Sequence, residues 1–127
     1  MKQTQMAESY LELRREERRK YPRISTPVQA QIRVKGGEVP IRVTTSDVSL
    51  GGFYVEMSIT IEPGTELEVT LWLKEKKIHA DAIVVTCHPH FGNGIEFTSL
   101  TEEDQSALAC FLDLMLNPKP HPVQHLH

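Results

Sequence analysis

The strongest constraint on this chain is a period of two. From Val28 to Phe97 apolar and polar residues alternate in short runs, and each run is closed by residues that turn a backbone. Val28-Gln-Ala-Gln-Ile-Arg-Val is the first, Gly36-Gly37 follows as a turn, and Ile41-Arg-Val-Thr-Thr resumes the alternation. That order is a β-hairpin signal. Further strand candidates are Phe53–Met57, Leu67–Leu73, Ile78–Thr86 and Gly94–Phe97, separated by Pro63-Gly64, Lys74–Lys77 and a loop from His88 to Asn93. Six short strands in 70 residues predict a mainly β fold closed into a six-stranded barrel, because closure removes the exposed edges that short strands otherwise present. Trp72, inside one alternating run, is expected in the core.

The period changes after Leu100. Thr101 followed by Asp104 is a capping arrangement, with Glu102 and Glu103 in the first turn where negative charge suits a helix N-terminus. Leu108, Phe111, Leu112 and Met115 recur at helical spacing and predict a C-terminal helix with an apolar face for the barrel. Asn117-Pro118 ends it, and the Pro- and His-rich residues that follow have no means of packing. At the other end, Met6–Lys20 is helix-permissive but mostly polar, and Pro22 stops any helix before Arg23. The expected organisation is an arm over 1–17, flexible or helical, one domain over 18–116, and a disordered tail over 117–127.

A chain of 127 residues has room for one core. Its make-up, 39% hydrophobic and 24% charged, excludes the disordered, collagenous and membrane-spanning classes. The longest apolar run, Ala107–Met115, is short and broken by Asp113, and the first residues lack the apolar centre of a signal peptide. The expected compartment is the cytoplasm, with no membrane insertion. Cys87 and Cys110 lie in or beside apolar stretches without paired spacing, so both are expected as buried reduced thiols. His88-x-His90 beside Cys87 supplies no four-ligand set, and His121, His125 and His127 lie on the tail, so no metal is expected.

Charge narrows the partners. The net charge is −3, yet Arg14–Arg23 holds six basic residues against Glu16 and Glu17, a local +4 that leaves −7 for the remainder. Long nucleic acid wants a broad basic face, because affinity grows with the number of phosphates neutralised. One basic spot on an acidic body fits a small anion instead.

Two short patterns bear on that anion. In Arg18-Arg19-Lys20-Tyr21-Pro22-Arg23 the arginines at 19 and 23 stand four apart across a helix stop. Their planar forks match phosphate oxygens and the O6 and N7 acceptors of guanine. The bland reading is a solvated charge run. In Asp47-Val-Ser49-Leu-Gly51-Gly52 the carboxylate suits guanine's N1 and N2 donors, and glycines let backbone approach a ligand. Here the bland reading is a turn, with Asp and Ser bonding nearby backbone and the glycines supplying positive φ.

Together the patterns resemble the PilZ domain family, a bacterial signalling family. Arg19 and Arg23 match its Arg-x-x-x-Arg segment, Asp47, Ser49 and Gly52 match its Asp-x-Ser-x-x-Gly turn, and Gly94-Ile-Glu-Phe97 matches its Gly-x-x-Phe strand. The resemblance spans roughly Arg18 to Met115. It implies a six-stranded antiparallel barrel with a C-terminal helix, and cyclic di-GMP as ligand, held by Arg18, Arg19, Arg23, Asp47, Ser49, Gly51 and Gly52. It further implies that an arginine at position 18 favours two stacked ligand molecules per chain. Many members place an aromatic late in the fifth strand to stack on guanine, whereas Val85-Thr-Cys-His88 has none.

The expected role is therefore a receptor that reports second-messenger level to a downstream protein through ordering of its arginine-rich arm. The alternative is an adaptor of the same fold that does not bind nucleotide, but such relatives usually lack the arginines or the Asp-Ser turn. No cofactor is expected. An enzyme is not expected either, since no Ser-His-Asp set, P-loop or paired carboxylates stand out.

Overall fold

The computed structural model describes residues 21–74 and 76–117. The helix-permissive stretch Met6–Lys20, with Arg18 and Arg19, and the tail from Pro118 lie outside the described residues.

Six strands appear where the alternation places them: β1 (Gln29–Val34), β2 (Ile41–Val48), β3 (Gly52–Glu56), β4 (Glu66–Trp72), β5 (Lys77–His88) and β6 (Gly92–Ser99). One helix, α1 (Glu102–Leu116), follows. All strand pairs are antiparallel, and the order β1-β2-β3-β6-β5-β4 closes into a barrel. Closure depends on the length of β5. Its first part pairs with β4 from Lys77↔Trp72 to Ile83↔Glu66, and its second part pairs with β6 from Asp81↔Ser99 to His88↔Gly92.

Alternation decides what is inside. Ala30, Ile32, Leu67, Val69, Leu71, Ile78, Ala80, Ala82 and Val84 point inward and are buried, joined by Val48, Phe53, Val55, Ile95 and Phe97. The rings of Phe53 and Phe97 meet at 5.7 Å between centroids, tilted by 45°. Truncating either ring to Ala would cost about 3–5 kcal/mol, the usual penalty for an aromatic taken from a packed interior.

Trp72 departs from the expectation. With Leu67, Val69, Leu71 and Leu73 all buried, the residue between the last two faces outward, and Trp72 lies half-buried beneath Arg42, whose Cζ is 4.2 Å from the ring centroid. The thiols are corrected too. Both are free, but Cys110 is exposed and Cys87 only partly covered, since each falls on the outer or end position of its element.

The β5–β6 connection is shorter than the expected His88–Asn93 loop, with Pro89–Phe91 alone outside the strands. His90 makes the turn at φ 67°. Asn93, fully buried, donates Nδ2 to the carbonyls of Ile61 (2.7 Å) and Thr86 (3.0 Å) and accepts from Ile61 N–H at 2.8 Å. Those bonds extend the ladder and pin the β3–β4 connection to it.

Thr101 caps α1 as expected, accepting from Asp104 N–H at 3.1 Å. Asp104 then turns its carboxylate to the barrel, accepting from His79 N–H on β5 at 3.1 Å, while Lys76 reaches Glu103 at 2.7 Å and Asp104 at 3.5 Å. The hydrogen bond to Glu103 is the main reason the Lys76 ammonium titrates above its usual value. Leu108 and Leu112 are buried and Ala107 and Phe111 partly so, whereas Met115, expected on the same face, is 46% exposed. The helix outruns the barrel, and its last turn has no apolar surface left to meet.

Candidate ligand site on the outer face of the barrel

Asp47 reaches the outer face through an irregularity in β2. Thr45 pairs with Val55, yet the next pair is Asp47 with Tyr54, so one residue of β2 is extra. A regular strand would put residues 45 and 47 on the same face; the bulge changes the face between them. Thr45 stays inside, donating its hydroxyl to Thr26 C=O (2.8 Å) and accepting from Val28 N–H (2.9 Å). Val48 also points inward and is buried, which leaves Asp47 facing out.

Arg23 is brought to the same place by backbone pairing. Ile24 N–H donates to Val48 C=O and Val48 N–H to Ile24 C=O, both at 2.9 Å, so the chain after Pro22 runs antiparallel to the end of β2. Arg23 Nη1 then lies 3.6 Å from Asp47 Oδ1. That oxygen is buried and has no hydrogen-bond partner among the described residues. An ion pair between partly exposed groups contributes only about 0–1 kcal/mol, so a ligand offering better partners displaces it easily.

Ser49, Gly51 and Gly52 build the turn that follows. Ser49 N–H donates to Gly52 C=O at 2.8 Å, and Ser49 Oγ accepts from Gly51 N–H at 3.1 Å. Ser49 is buried, so its hydroxyl is committed to the turn. The expectation of positive φ at these glycines does not hold: among the described glycines only Gly36 and Gly64 adopt it. Gly52 is required by proximity, because a Cβ there would stand 2.0 Å from the carbonyl oxygen of Ile95. Gly51 C=O accepts from Phe97 N–H at 2.9 Å, which locks the turn onto β6.

Sequence reasoning missed two residues on this face, Tyr54 and Glu96. Tyr54 stands directly opposite Asp47 across the β2–β3 pair. Its hydroxyl is 2.9 Å from His88 Nδ1. Glu96, opposite Gly52 on β6, is a carboxylate only 1% exposed. The signal for Tyr54 was available, since Phe53 and Val55 face the core and leave the residue between them outside. Glu96 gave no such signal, because strand alternation alone does not bury an outward carboxylate. Of the seven expected ligand residues, the structure gathers Arg23, Asp47, Ser49, Gly51 and Gly52; Arg18 and Arg19 lie outside the described residues. No three His, Cys, Asp or Glu side chains gather into a metal-binding group among the described residues, and none of their helices is long and apolar enough to cross a membrane.

Comparison with solved structures returns the same barrel. The inhibitor of motility MotI (DgrA) from Bacillus subtilis superposes with a TM-score of 0.66 at 22% identity, over 79% of this chain and 52% of that one. YcgR from Escherichia coli in complex with c-di-GMP gives 0.67 at 17% identity, over 87% and 51%. The isolated PilZ domain of YcgR with c-di-GMP gives 0.64 at 16% identity, over 78% and 92%. The chain thus spans about half the length of MotI and of the longer YcgR structure. No curated protein sequence matches it. The sequence profile of the PilZ domain matches residues 17–114, covering both arginine and Asp-Ser-Gly motifs and every strand of the barrel, and on that match the chain belongs to the PilZ domain family.

Proposed function

We propose that this chain is a cyclic di-GMP receptor of the non-enzymatic kind, whose loaded surface is read by a protein partner. The observation that carries the reading is the buried Oδ1 of Asp47, an acceptor without a hydrogen-bond donor among the described residues, set beside the Arg23 guanidinium at 3.6 Å. An unsatisfied buried acceptor is costly and invites a donor. Guanine presents two adjacent donors at N1 and N2, and its O6 and N7 accept from an arginine fork, so one base edge and one phosphate satisfy both groups together. Solved YcgR structures with c-di-GMP, which share the fold, support the choice of ligand.

In this reading Arg18, Arg19 and Arg23 hold phosphates and guanine edges, Asp47 reads a base, and Ser49, Gly51 and Gly52 keep the turn in place. The pairing of Ile24 with Val48 anchors one end of the arm. Bound phosphates offset the repulsion among its six basic groups and fold 16–24 over the site, and differential affinity for the closed arm is what shifts the population. Arg18 recruits a second ligand molecule, giving two per chain.

Titration calorimetry tests the reading. Cyclic di-GMP should bind with a stoichiometry near two, and cyclic di-AMP, which lacks the paired donors, should bind poorly. Equal affinity for the two dinucleotides would show that base edges are not read. Amide exchange should show new protection over 16–24 on binding and little change in Leu108–Met115. Unchanged nucleotide after long incubation is expected of a receptor, and hydrolysis would overturn that part.

A further inference from the structure

A purine base has faces as well as edges, and Asp47 serves an edge alone. Its neighbour on the outer face is an aromatic ring: Tyr54 pairs with Asp47 on one side and with Gly94 on the other. Directly opposed side chains in an antiparallel pair stand about 5 Å apart at Cβ, so the two side chains start side by side, and the Tyr54 ring extends from there across β6.

The surroundings of Tyr54 form a seat for it. A Cβ at Gly92 would stand 2.7 Å from both Cε1 and the hydroxyl oxygen of Tyr54, and 2.4 Å from Val55 C=O. One at Gly94 would stand 3.8 Å from Tyr54 Cδ2 and 2.3 Å from Thr86 Oγ1. The ring therefore lies across two residues that have no side chain. At its far end the hydroxyl is held by His88 Nδ1 at 2.9 Å, with the two rings 5.8 Å apart and inclined at 48°. Tyr54 is nevertheless only half-buried. A ring seated on glycines, tethered at its tip and still in contact with solvent has its orientation set in advance, which lowers the entropy lost when another flat group settles on it.

Phe53 and Phe97 are in the core, and Trp72 lies under Arg42 on β4. We propose that Tyr54, oriented by His88 and seated on Gly92 and Gly94, is the stacking surface for the guanine base whose edge Asp47 reads. This rests on the reading of cyclic di-GMP as the ligand. It assigns the face contact to β3, with β5 contributing the tether.

The test is calorimetry with cyclic di-GMP on three variants. Tyr54→Phe keeps the π face and should stay within about twofold of wild type, whereas Tyr54→Leu keeps an apolar cover over the glycines but loses the face and should bind about fivefold to a hundredfold more weakly. Arg23→Ala separates the two ideas. If Arg23→Ala loses affinity while Tyr54→Leu titrates like wild type, the stacking role is overturned and the ligand reading stands. If wild type takes up no cyclic di-GMP, both fall. A structural role would lower thermal stability without moving the ligand's own signals, so the second measurement is made on wild type. Nuclear Overhauser contacts from guanine H8 to the Tyr54 ring protons, with an upfield H8 shift, are expected; a saturated complex without them overturns the proposal even where Tyr54→Leu fails to fold.

Discussion

Two Gly-Gly pairs flank β2, and they are there for opposite reasons. At Gly36-Gly37 the backbone needs a left-handed residue: Gly36 has φ 84°, with nothing within 4 Å of where a Cβ would stand. At Gly51-Gly52 no positive φ occurs, and the Cβ position of Gly52 is already occupied by backbone of β6. Gly36 is about conformation in open space, Gly52 about contact without conformational strain. The difference follows location. The first closes an exposed hairpin remote from any candidate site residue, while the second packs the Asp47 turn against β6.

Replacing Gly52 is the most direct way to break that contrast. Gly52→Ala must part β3 from β6 and should cost about 3 kcal/mol, the upper range for inserting atoms into a packed region, with ligand binding lost as well. Urea unfolding measures it, and a wild-type midpoint would end the proximity argument. Next in size is Arg23→Ala beside the same turn. It should lower cyclic di-GMP affinity at least about tenfold, since an arginine fork on a base edge and phosphate carries roughly 1–3 kcal/mol, while stability moves by under about 0.5 kcal/mol. Calorimetry and urea unfolding on one preparation give both numbers.

Gly36→Ala sharpens the other side. Forcing a Cβ into the left-handed region costs about 1 kcal/mol, and Gly36→Asn should cost less because asparagine tolerates it. Neither should alter ligand affinity; if either does, the hairpin and the site are coupled. The smallest effect belongs to Lys76, away from both turns. Its titration is raised above 10.5 chiefly by the hydrogen bond to Glu103. A raised value means the contribution is fully present below about pH 10.5 and lost as pH rises through the folded value. Thermal unfolding of wild type and Lys76→Gln should run parallel from pH 6 to 9 and converge only in strong alkali.

Much of the fold was legible because a period of two is a local property. Gln29–Val34, Glu66–Trp72 and Lys77–His88 carry it plainly, and their bounds fall within two residues of the expected runs. Trp72 was misjudged although the same rule places it: Leu71 and Leu73 are both inside, so it cannot be. Met115 kept helical spacing but not burial, since spacing says which side of a helix is apolar and nothing about where the barrel ends. The site was legible as residue types. Asp47 and Arg23 were named from chemistry, yet their 3.6 Å approach depends on the Ile24–Val48 bridge and on a bulge that the motif does not spell.

By itself the sequence determined the number of strands, the turns between most of them, the capped helix and the family, because each is set by neighbours within a few positions of one another. Only the tertiary structure decided that Asp47 faces outward, that Gly52 serves proximity and not φ, and that Tyr54, opposite Asp47, lies on glycines. Each of those depends on pairing between strands far apart in the chain. Glu96 meets Gly52, and Gly94 meets both Tyr54 and Thr86, only once β6 is inserted between β3 and β5.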